Sequence, residues 1–331
     1  MAALSVRDLS VRAQGLELVR DVSFEVHSGE RVALIGESGS GKSLTAMAIV
    51  GLLGRGLSAS GEARLGDEDL LGVSERRRCQ LRGDRIALIF QDPMTALDPT
   101  MRIGRQVGEA LRQHRGLSRR QAAEAAVKLL ARVEIPDPAR YAHSYPHQLS
   151  GGLRQRVMMA IAISCDPDVI LADEPTTALD VTVQRRVLEL LDRLVREEGS
   201  ALLLITHDLA VVSEMCDRVV TMYGGRVVES GSVESMLTAP QHPYTDALLA
   251  ASSAVSIDGA SGEPLPAIAG SVPAAGQFPP GCPYRDRCPR ASQQCTTMPP
   301  LEAVGDRTVA CWHPVGREEP AAGITTEGTL K

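Results

Sequence analysis

The stretch GESGSGKS, Gly36 to Ser43, most constrains the fold of this chain. It follows the apolar run RVALI and precedes a run, KSLTAMAIVGLL, that is typical of a helix. A buried strand that enters a glycine-rich turn and leaves as a helix directs backbone N–H groups and a helix N-terminus at an anion. Lys42 adds a positive charge for the β- and γ-phosphate oxygens of a bound nucleotide, and the Ser43 hydroxyl is placed to ligate Mg²⁺. The predicted phosphate cradle comprises Gly36, Ser38, Gly39, Ser40, Gly41, Lys42 and Ser43.

A second apolar run, VILADE, ends in two adjacent carboxylates, Asp173 and Glu174. Such a pair is costly at the end of a buried strand unless a cation or a substrate uses it. Asp173 is predicted to hold Mg²⁺. Glu174 is predicted to polarise an attacking water as a general base.

Strand-like and helix-like patterns alternate along most of the chain. Alternating runs near the N-terminus predict an antiparallel sheet, whereas the apolar runs at 168–175, 201–208 and 218–225 predict buried parallel strands. A helix-rich insertion spans about 92–165. The fold class predicted is α/β, with an antiparallel β subdomain and a helical subdomain.

Composition excludes several classes of function. A formal net charge of −6 gives no sign of the basic surface that binds nucleic acid, and aromatic residues at 3% offer few side chains on which bases could stack. The longest apolar runs fall far short of the roughly 20 residues that span a bilayer. The chain is therefore expected to stay in the cytoplasm, and any membrane role must come through partner subunits.

The stretch LSGGLRQR (149–156) identifies the family. Ser150, Gly151 and Gly152 predict a second helix N-terminus open to an anion. Together with Gln91, the TALD run that ends in Asp180, and His207, these motifs resemble those of ATP-binding cassette (ABC) transporter ATPases, in the family's order. The resemblance covers residues 4–250 and implies a P-loop NTPase core that binds and hydrolyses ATP with Mg²⁺.

The stretches FQDPMTALDP, YPHQLSGG and HPYTDALL resemble the ATPase subunits of dipeptide, oligopeptide and nickel importers, and extend the resemblance to 4–314. The resemblance implies that Glu174 is the catalytic base, that His207 hydrogen-bonds the γ-phosphate, and that Gln91 contacts Mg²⁺ or the attacking water. It also implies that Ser150 and Gly152 contact ATP held by an opposite subunit, with Asp180 at the dimer seam. The implied Mg²⁺ site comprises Ser43, Gln91 and Asp173.

The resemblance further implies the partners. These are a second ATPase subunit, two transmembrane permease subunits and an extracytoplasmic substrate-binding protein. The second ATPase subunit is most often a different chain. These partners imply that the chain lies at the cytoplasmic face of the cell membrane. The leading hypothesis is an ATPase that powers peptide import. A nickel or other solute importer is the alternative, and a soluble ABC ATPase of translation or DNA repair is a further one.

One position departs from the family. An aromatic residue, on which adenine stacks, often stands about 29 residues before the loop lysine. That position is Ala13 here, and no nearby residue is an obvious substitute. Weaker nucleotide affinity is one expected consequence.

The chain after residue 250 changes character. Residues 251–281 read as a linker, 282–316 hold four cysteines, and 317–331 are expected to be disordered. Disulfides are disfavoured in a reducing compartment. The spacing of the four cysteines fits neither the usual zinc pattern nor the usual ferredoxin pattern, so a zinc site, an iron–sulfur cluster and free thiols all remain as alternatives. Resemblance to the cysteine tails of peptide-importer ATPases favours a [4Fe–4S] cluster on Cys282, Cys288, Cys295 and Cys311.

Overall fold

The computed structural model describes residues 2–177, 179–255 and 267–316. Its strands are β1 (Ala2–Ala13), β2 (Leu16–His27), β3 (Arg31–Ile35), β4 (Leu57–Leu65), β5 (Glu68–Asp69), β6 (Ile86–Ile89), β7 (Val169–Asp173), β8 (Ala201–Ile205), β9 (Arg218–Tyr223), β10 (Arg226–Ser232), β11 (Glu302–Val304) and β12 (Arg307–Val309). Its helices are α1 (Lys42–Ile49), α2 (Glu75–Leu81), α3 (Pro93–Ala96), α4 (Ile103–Arg115), α5 (Arg119–Arg132), α6 (Pro138–Ala142), α7 (Gly151–Ala162), α8 (Val181–Glu198), α9 (Leu209–Met215), α10 (Val233–Thr238) and α11 (Pro243–Val255). Short 3₁₀ turns lie at Pro146–Gln148, Arg285–Arg287 and Gln293–Thr296.

Two sheets organise the fold. The smaller is antiparallel in the order β2-β1-β4-β5, and the larger has the order β11-β12-β10-β9-β3-β8-β7-β6. Within the larger sheet, β9, β3, β8, β7 and β6 run parallel. The predicted α/β class with an antiparallel β subdomain and a helical subdomain is therefore confirmed.

The central parallel strands are buried on both faces. Ala33 and Ile35 of β3 pack toward the helices, in a core shared with α4, α5, α7 and α8. Val32 and Leu34 pack toward the smaller sheet and α1. Because successive strand residues point to opposite faces, a near-continuous apolar run satisfies both layers at once.

Helix α8 shows how local sequence sets an element. Asp180 caps its N-terminus by accepting a hydrogen bond from the Val183 N–H at 3.0 Å, and Gly199 ends it in a left-handed conformation with φ 67°. Its buried residues recur at helical spacing, from Val187 to Val195. The helix predicted from VTVQRRVLELLDRLVREE is confirmed.

The C-terminal segment, residues 267–316, packs on the core. Its strand β12 pairs antiparallel with β10, and Ala310 donates a backbone hydrogen bond to Val228 at 2.8 Å. Part of the predicted linker 251–281 is helical, since α11 extends to Val255, and residues 267–281 belong to this segment. The predicted disorder of 317–331 lies outside the described residues. No helix within the described parts of the chain is long and apolar enough to cross a membrane.

Candidate nucleotide-binding site

The predicted functional residues follow four adjacent parallel strands. The phosphate loop follows β3, His207 follows β8, Glu174 follows β7 and Gln91 follows β6. Since β3, β8, β7 and β6 are neighbours in the larger sheet, these residues meet at one carboxyl edge. Parallel α/β sheets place their ligand sites at this edge.

The phosphate loop is folded tightly around the Lys42 ammonium. Nζ donates hydrogen bonds to the carbonyls of Gly36 at 2.7 Å and Glu37 at 3.0 Å, and to Ser40 Oγ at 3.2 Å. Gly36 has φ +148°, and a Cβ there would lie 2.2 Å from the Met222 carbonyl oxygen, so no larger residue fits. Burial lowers the pKa of Lys42. The loop therefore holds a desolvated cation, which strengthens its attraction for an anion.

Ser43 and Asp173 form a pair of side chains whose oxygens could ligate a metal ion. Ser43 Oγ donates a hydrogen bond to Asp173 Oδ1 at 3.0 Å, and Asp173 is only 4% exposed. Burial raises the pKa of the Asp173 carboxyl, so its charged form calls for a nearby cation. A carboxylate and a hydroxyl are the ligand types that Mg²⁺ prefers, so the pair fits this ion.

Glu174 is the centre of a second set of contacts. Its Oε2 accepts hydrogen bonds from Gln91 Nε2 at 3.2 Å and from Thr177 Oγ1 at 2.8 Å, while His207 Nδ1 lies 3.5 Å from Oε1. The Glu174 backbone has φ +43° and donates to the Ile205 carbonyl at 2.9 Å. A glutamate in this left-handed conformation is strained, and such strain is typical of functional sites.

An open cleft of about 660 Å³ runs along these groups. The sequence-predicted residues that line it are Gly36, Ser38, Gly39, Gly41, Lys42, Ser43, Gln91, Glu174 and His207. Ser40 and Asp173 lie beneath its surface, where each is buried and bonded to a lining residue. The structure therefore brings both the phosphate loop and the acidic strand end into one site.

Ser150, Gly152 and Asp180 do not line this cleft. Ser150 is exposed and caps α7, with Oγ accepting from the Leu153 N–H at 3.4 Å. A Cβ on Gly152 would lie 2.6 Å from Val183 at the start of α8, the helix that Asp180 caps. The three residues thus lie outside the cleft, at the starts of α7 and α8, with Ser150 and Asp180 exposed and Gly152 half-buried.

Sequence reasoning missed the contacts that α11 and the C-terminal segment make with the phosphate loop and the cleft. The Arg287 guanidinium forms an ion pair with Glu37 of the phosphate loop, with Nη1 2.7 Å from Oε2. The Tyr244 hydroxyl accepts a hydrogen bond from the Glu37 N–H at 2.7 Å. Phe278 lines the cleft itself. These residues lie about 200 positions or more from the loop, so no local pattern signals them.

The prediction of a [4Fe–4S] cluster on Cys282, Cys288, Cys295 and Cys311 is wrong. Among residues 2–177, 179–255 and 267–316, no group of three or more His, Cys, Asp or Glu side chains is arranged to hold a metal ion. The four thiols border a cavity of about 10 Å³, close to the space that one water needs. Burial raises the pKa of Cys282 to about 11 and of Cys311 to about 12, which favours neutral thiols over thiolate ligands.

Two family models match the chain. The model described as ABC transporter matches residues 19–177, and the model described as oligopeptide/dipeptide transporter, C-terminal region, matches residues 228–295. The first match contains the phosphate loop and Glu174. The second contains Tyr244, Phe278 and Arg287.

Several curated proteins are similar over nearly their whole length. The "Probable D,D-dipeptide transport ATP-binding protein DdpD" of Escherichia coli K12 is 49% identical, over 89% of this chain and 90% of that protein. The oligopeptide transport ATP-binding protein AppD of Bacillus subtilis is 46% identical, over 91% and 92%. The oligopeptide transport ATP-binding protein OppD of Escherichia coli K12 is 43% identical, over 95% and 94%.

A solved structure shares the fold. The dimeric post-hydrolysis structure of the ATP-binding cassette MJ0796 with ADP and Pi superposes with a TM-score of 0.62 at 28% identity, covering 70% of this chain and 98% of that one. Sequence, fold and site geometry agree. The chain belongs to the ABC transporter family, as an ATP-hydrolysing ATP-binding protein of the dipeptide and oligopeptide transport group.

Proposed function

We propose that this chain powers the import of dipeptides or oligopeptides by hydrolysing ATP as a subunit of an ABC transporter complex. The observation that carries the proposal is the meeting of Lys42, Gln91, Glu174 and His207 in one cleft. The curated relatives named above, at 43–49% identity, support the peptide cargo.

Glu174 is the general base. Its carboxylate accepts the proton of the water that attacks the γ-phosphoryl group. Gln91 and Thr177 donate to the same oxygen, Oε2, and so fix the orientation of the carboxylate. His207 lies beside Glu174 Oε1. Its side chain lines the cleft and is 63% exposed, so the imidazole can donate a hydrogen bond to a phosphate oxygen.

Lys42 and the loop N–H groups hold the phosphates, with Ser38, Gly39 and Gly41 on the lining. Ser43 and Asp173 would hold Mg²⁺, with Gln91 nearby, and the ion supplies charge neutralisation for the phosphate oxygens when bound. Because the Ser43 hydroxyl and Asp173 already contact each other, the two ligands are preorganised.

Ser150, Gly152 and Asp180 act across an interface between two ATPase subunits. These residues do not line the chain's own cleft, Ser150 and Asp180 are exposed, and the dimeric cassette of the same fold supports pairing. The α7 N-terminus would then direct free N–H groups at the γ-phosphate held by the other subunit. We propose that this second subunit is a different ATPase chain.

The remaining partners are two permease subunits and an extracytoplasmic substrate-binding protein. The chain would sit at the cytoplasmic face of the membrane, with the helical subdomain (about 92–165) transmitting closure of the ATPase pair to the permeases. Closure depends on contacts to the γ-phosphate, and hydrolysis removes these contacts.

The test is uptake of a labelled dipeptide and a labelled oligopeptide by vesicles that carry the assembled transporter. Glu174→Gln should bind ATP normally but lose hydrolysis and uptake by about 10²- to 10⁴-fold, because the base is gone. Glu302→Gln, the same charge change on the edge strand β11, serves as the control and should leave both unchanged. Uptake of nickel without peptide would contradict the cargo, and near-normal turnover of Glu174→Gln would contradict the mechanism.

A further inference from the structure

Outside the phosphate loop, α1 and the catalytic side chains, the nucleotide cleft has a mainly apolar lining. This base end, as we name it, comprises Leu18, Gly224, Leu248, Ala275 and Phe278, with Glu17 as the charged neighbour of Leu18. Phe278 is the one Phe, Tyr or Trp among the described residues that line the cleft. Ala13, where an aromatic residue is expected in this family, is not among the lining residues.

Phe278 is held by the end of β9. Its ring packs edge-on against Tyr223, with centroids 5.9 Å apart and an interplanar angle of 85°. A Cβ on Gly224 would lie 3.0 Å from the ring, so the absence of a side chain there lets the ring sit against the backbone. Tyr223 is buried, which gives Phe278 a rigid support on one side.

The turn that carries Phe278 is packed against the β1–β2 hairpin. Gln277 donates a backbone hydrogen bond to Ala274 at 2.9 Å, and Gly276 adopts φ +82°. A Cβ on Gly276 would lie 2.9 Å from the Leu16 side chain. The hairpin therefore supports the turn through a second contact, separate from the Tyr223 ring.

The base end and the phosphate loop are also tied to each other. Arg287 donates to Glu37 at 2.7 Å and to the Tyr223 hydroxyl at 3.1 Å, and thereby bridges the loop and the support of Phe278. The Arg287 side chain is only 6% exposed. A ligand whose phosphates are held by Lys42 thus shares its cleft with a preformed, mainly apolar surface.

We propose that Phe278, carried by the C-terminal segment, is the residue on which the base of the bound nucleotide packs. This inference rests on the proposed binding of ATP in the cleft. The half-buried ring offers its exposed part to the cleft, and every nucleobase has a π-face that can stack on such a ring. The C-terminal segment is thereby part of the nucleotide site.

The experiment compares the affinities of the full chain for ATP and for inorganic tripolyphosphate, which lacks the base and the sugar. Phe278→Ala should raise the Kd for ATP about 5- to 100-fold and leave the Kd for tripolyphosphate unchanged. Phe278→Tyr should restore ATP affinity. Leu301→Ala, which removes an exposed side chain elsewhere in the segment, is the matched control and should change neither.

A spectroscopic readout separates stacking from a structural role. Trp312 is the single tryptophan of the chain, so Phe278→Trp in a Trp312→Phe background reports on the base end alone. ATP should quench this emission and tripolyphosphate should not. An equal rise in both Kd values for Phe278→Ala, no rise in either, or equal quenching by both ligands would overturn the proposal.

Failure of the proposal differs from failure of the proposed function. If the wild-type complex does not hydrolyse ATP, the function is wrong. If the wild-type chain prefers ATP over tripolyphosphate and Phe278→Ala keeps that preference, only the role of Phe278 is wrong. A wild-type chain without any such preference would likewise overturn it, because the base would then contribute nothing.

Discussion

The phosphate loop and the C-terminal segment meet at the Glu37–Arg287 ion pair, but different forces hold the two regions in place. The loop lies between β3, whose apolar residues Val32 to Ile35 are buried, and α1, whose Ala46, Ala48 and Ile49 are buried. The segment is anchored by a small aromatic cluster, two short strands and the ion pairs Arg287–Glu37 and Arg307–Glu229. One region of the nucleotide site is thus built into the main core, and the other is attached to its edge.

The aromatic cluster is the larger part of this attachment. Tyr284 is 2% exposed, and its ring lies 5.2 Å from that of Tyr223 and 5.3 Å from that of Tyr244. Cys282 and Cys295 are buried in the same cluster. Aromatic pairs at these spacings add to the free energy gained by burial alone.

The difference predicts that the two regions can be separated. Burial of a few side chains stabilises a segment by only several kcal/mol, so the C-terminal segment should open locally while the parallel sheet stays folded. Three changes test this, in order of expected effect.

Tyr284→Ala should release the C-terminal segment. Removing a fully buried aromatic side chain typically costs about 3–5 kcal/mol. Hydrogen exchange should then accelerate at the β12–β10 pairing, for example at the Ala310 amide, but not in β3, β7 or β8. Tyr284→Phe keeps the ring and should exchange like the wild type. Equal loss of protection in the parallel strands would show that segment and core form one cooperative unit.

Arg287→Met should have a smaller effect at the point where the two regions meet. It leaves Glu37 without its ion-pair partner, at a cost of about 1–3 kcal/mol to docking of the segment. The unpaired carboxylate also repels phosphate, so the Kd for tripolyphosphate should rise.

Glu37→Gln provides the matched variant for this prediction. In the double variant Glu37→Gln/Arg287→Met the uncompensated charge is gone, so tripolyphosphate affinity should recover, and the cycle should give a coupling energy of about 0.5–3 kcal/mol. Strictly additive effects would mean that the ion pair does not link the segment to the loop.

The two regions also differ in how far sequence reasoning reached. The loop, Glu174 and His207 could be predicted because each directly follows a buried apolar run, and strand ends of a parallel sheet meet at one edge. The Ser43–Asp173 contact follows from the same logic, although 130 residues separate the partners.

The C-terminal segment could not be predicted in this way. Its stability comes from contacts between Tyr223 of β9, Tyr244 of α11 and Tyr284 of the segment, which show no periodic pattern along the chain. Resemblance to the cysteine tails of peptide-importer ATPases favoured a metal centre there, whereas packing against the core holds the segment here. The absence of an aromatic residue at Ala13 was visible in the sequence, whereas Phe278 became a candidate only once the fold placed it in the cleft.

Alkaline pH should distinguish the C-terminal segment from the core without any mutation, and this is the smallest of the three expected effects. Burial raises the pKa of Cys282 to about 11 and the pKa values of Cys311 and Tyr284 to about 12. Below the ordinary values of about 9 for Cys and 10 for Tyr, both the docked and the released segment hold these protons, and docking is at full strength. As pH rises from about 9 toward 12, the released segment ionises first, so docking weakens.

The parallel strands β3, β7 and β8 contain no Cys or Tyr. The main core does contain Cys216, and burial raises the pKa of this thiol to about 12. We therefore expect the segment to respond before the core. The emission maximum of Trp312, which donates to the Thr297 carbonyl within the segment, should shift to the red between about pH 9 and 11, while far-ultraviolet circular dichroism stays constant. Tyr284→Phe removes one titrating group and should move the shift to higher pH. Simultaneous loss of both signals would mean that the segment is no less firmly held than the sheet.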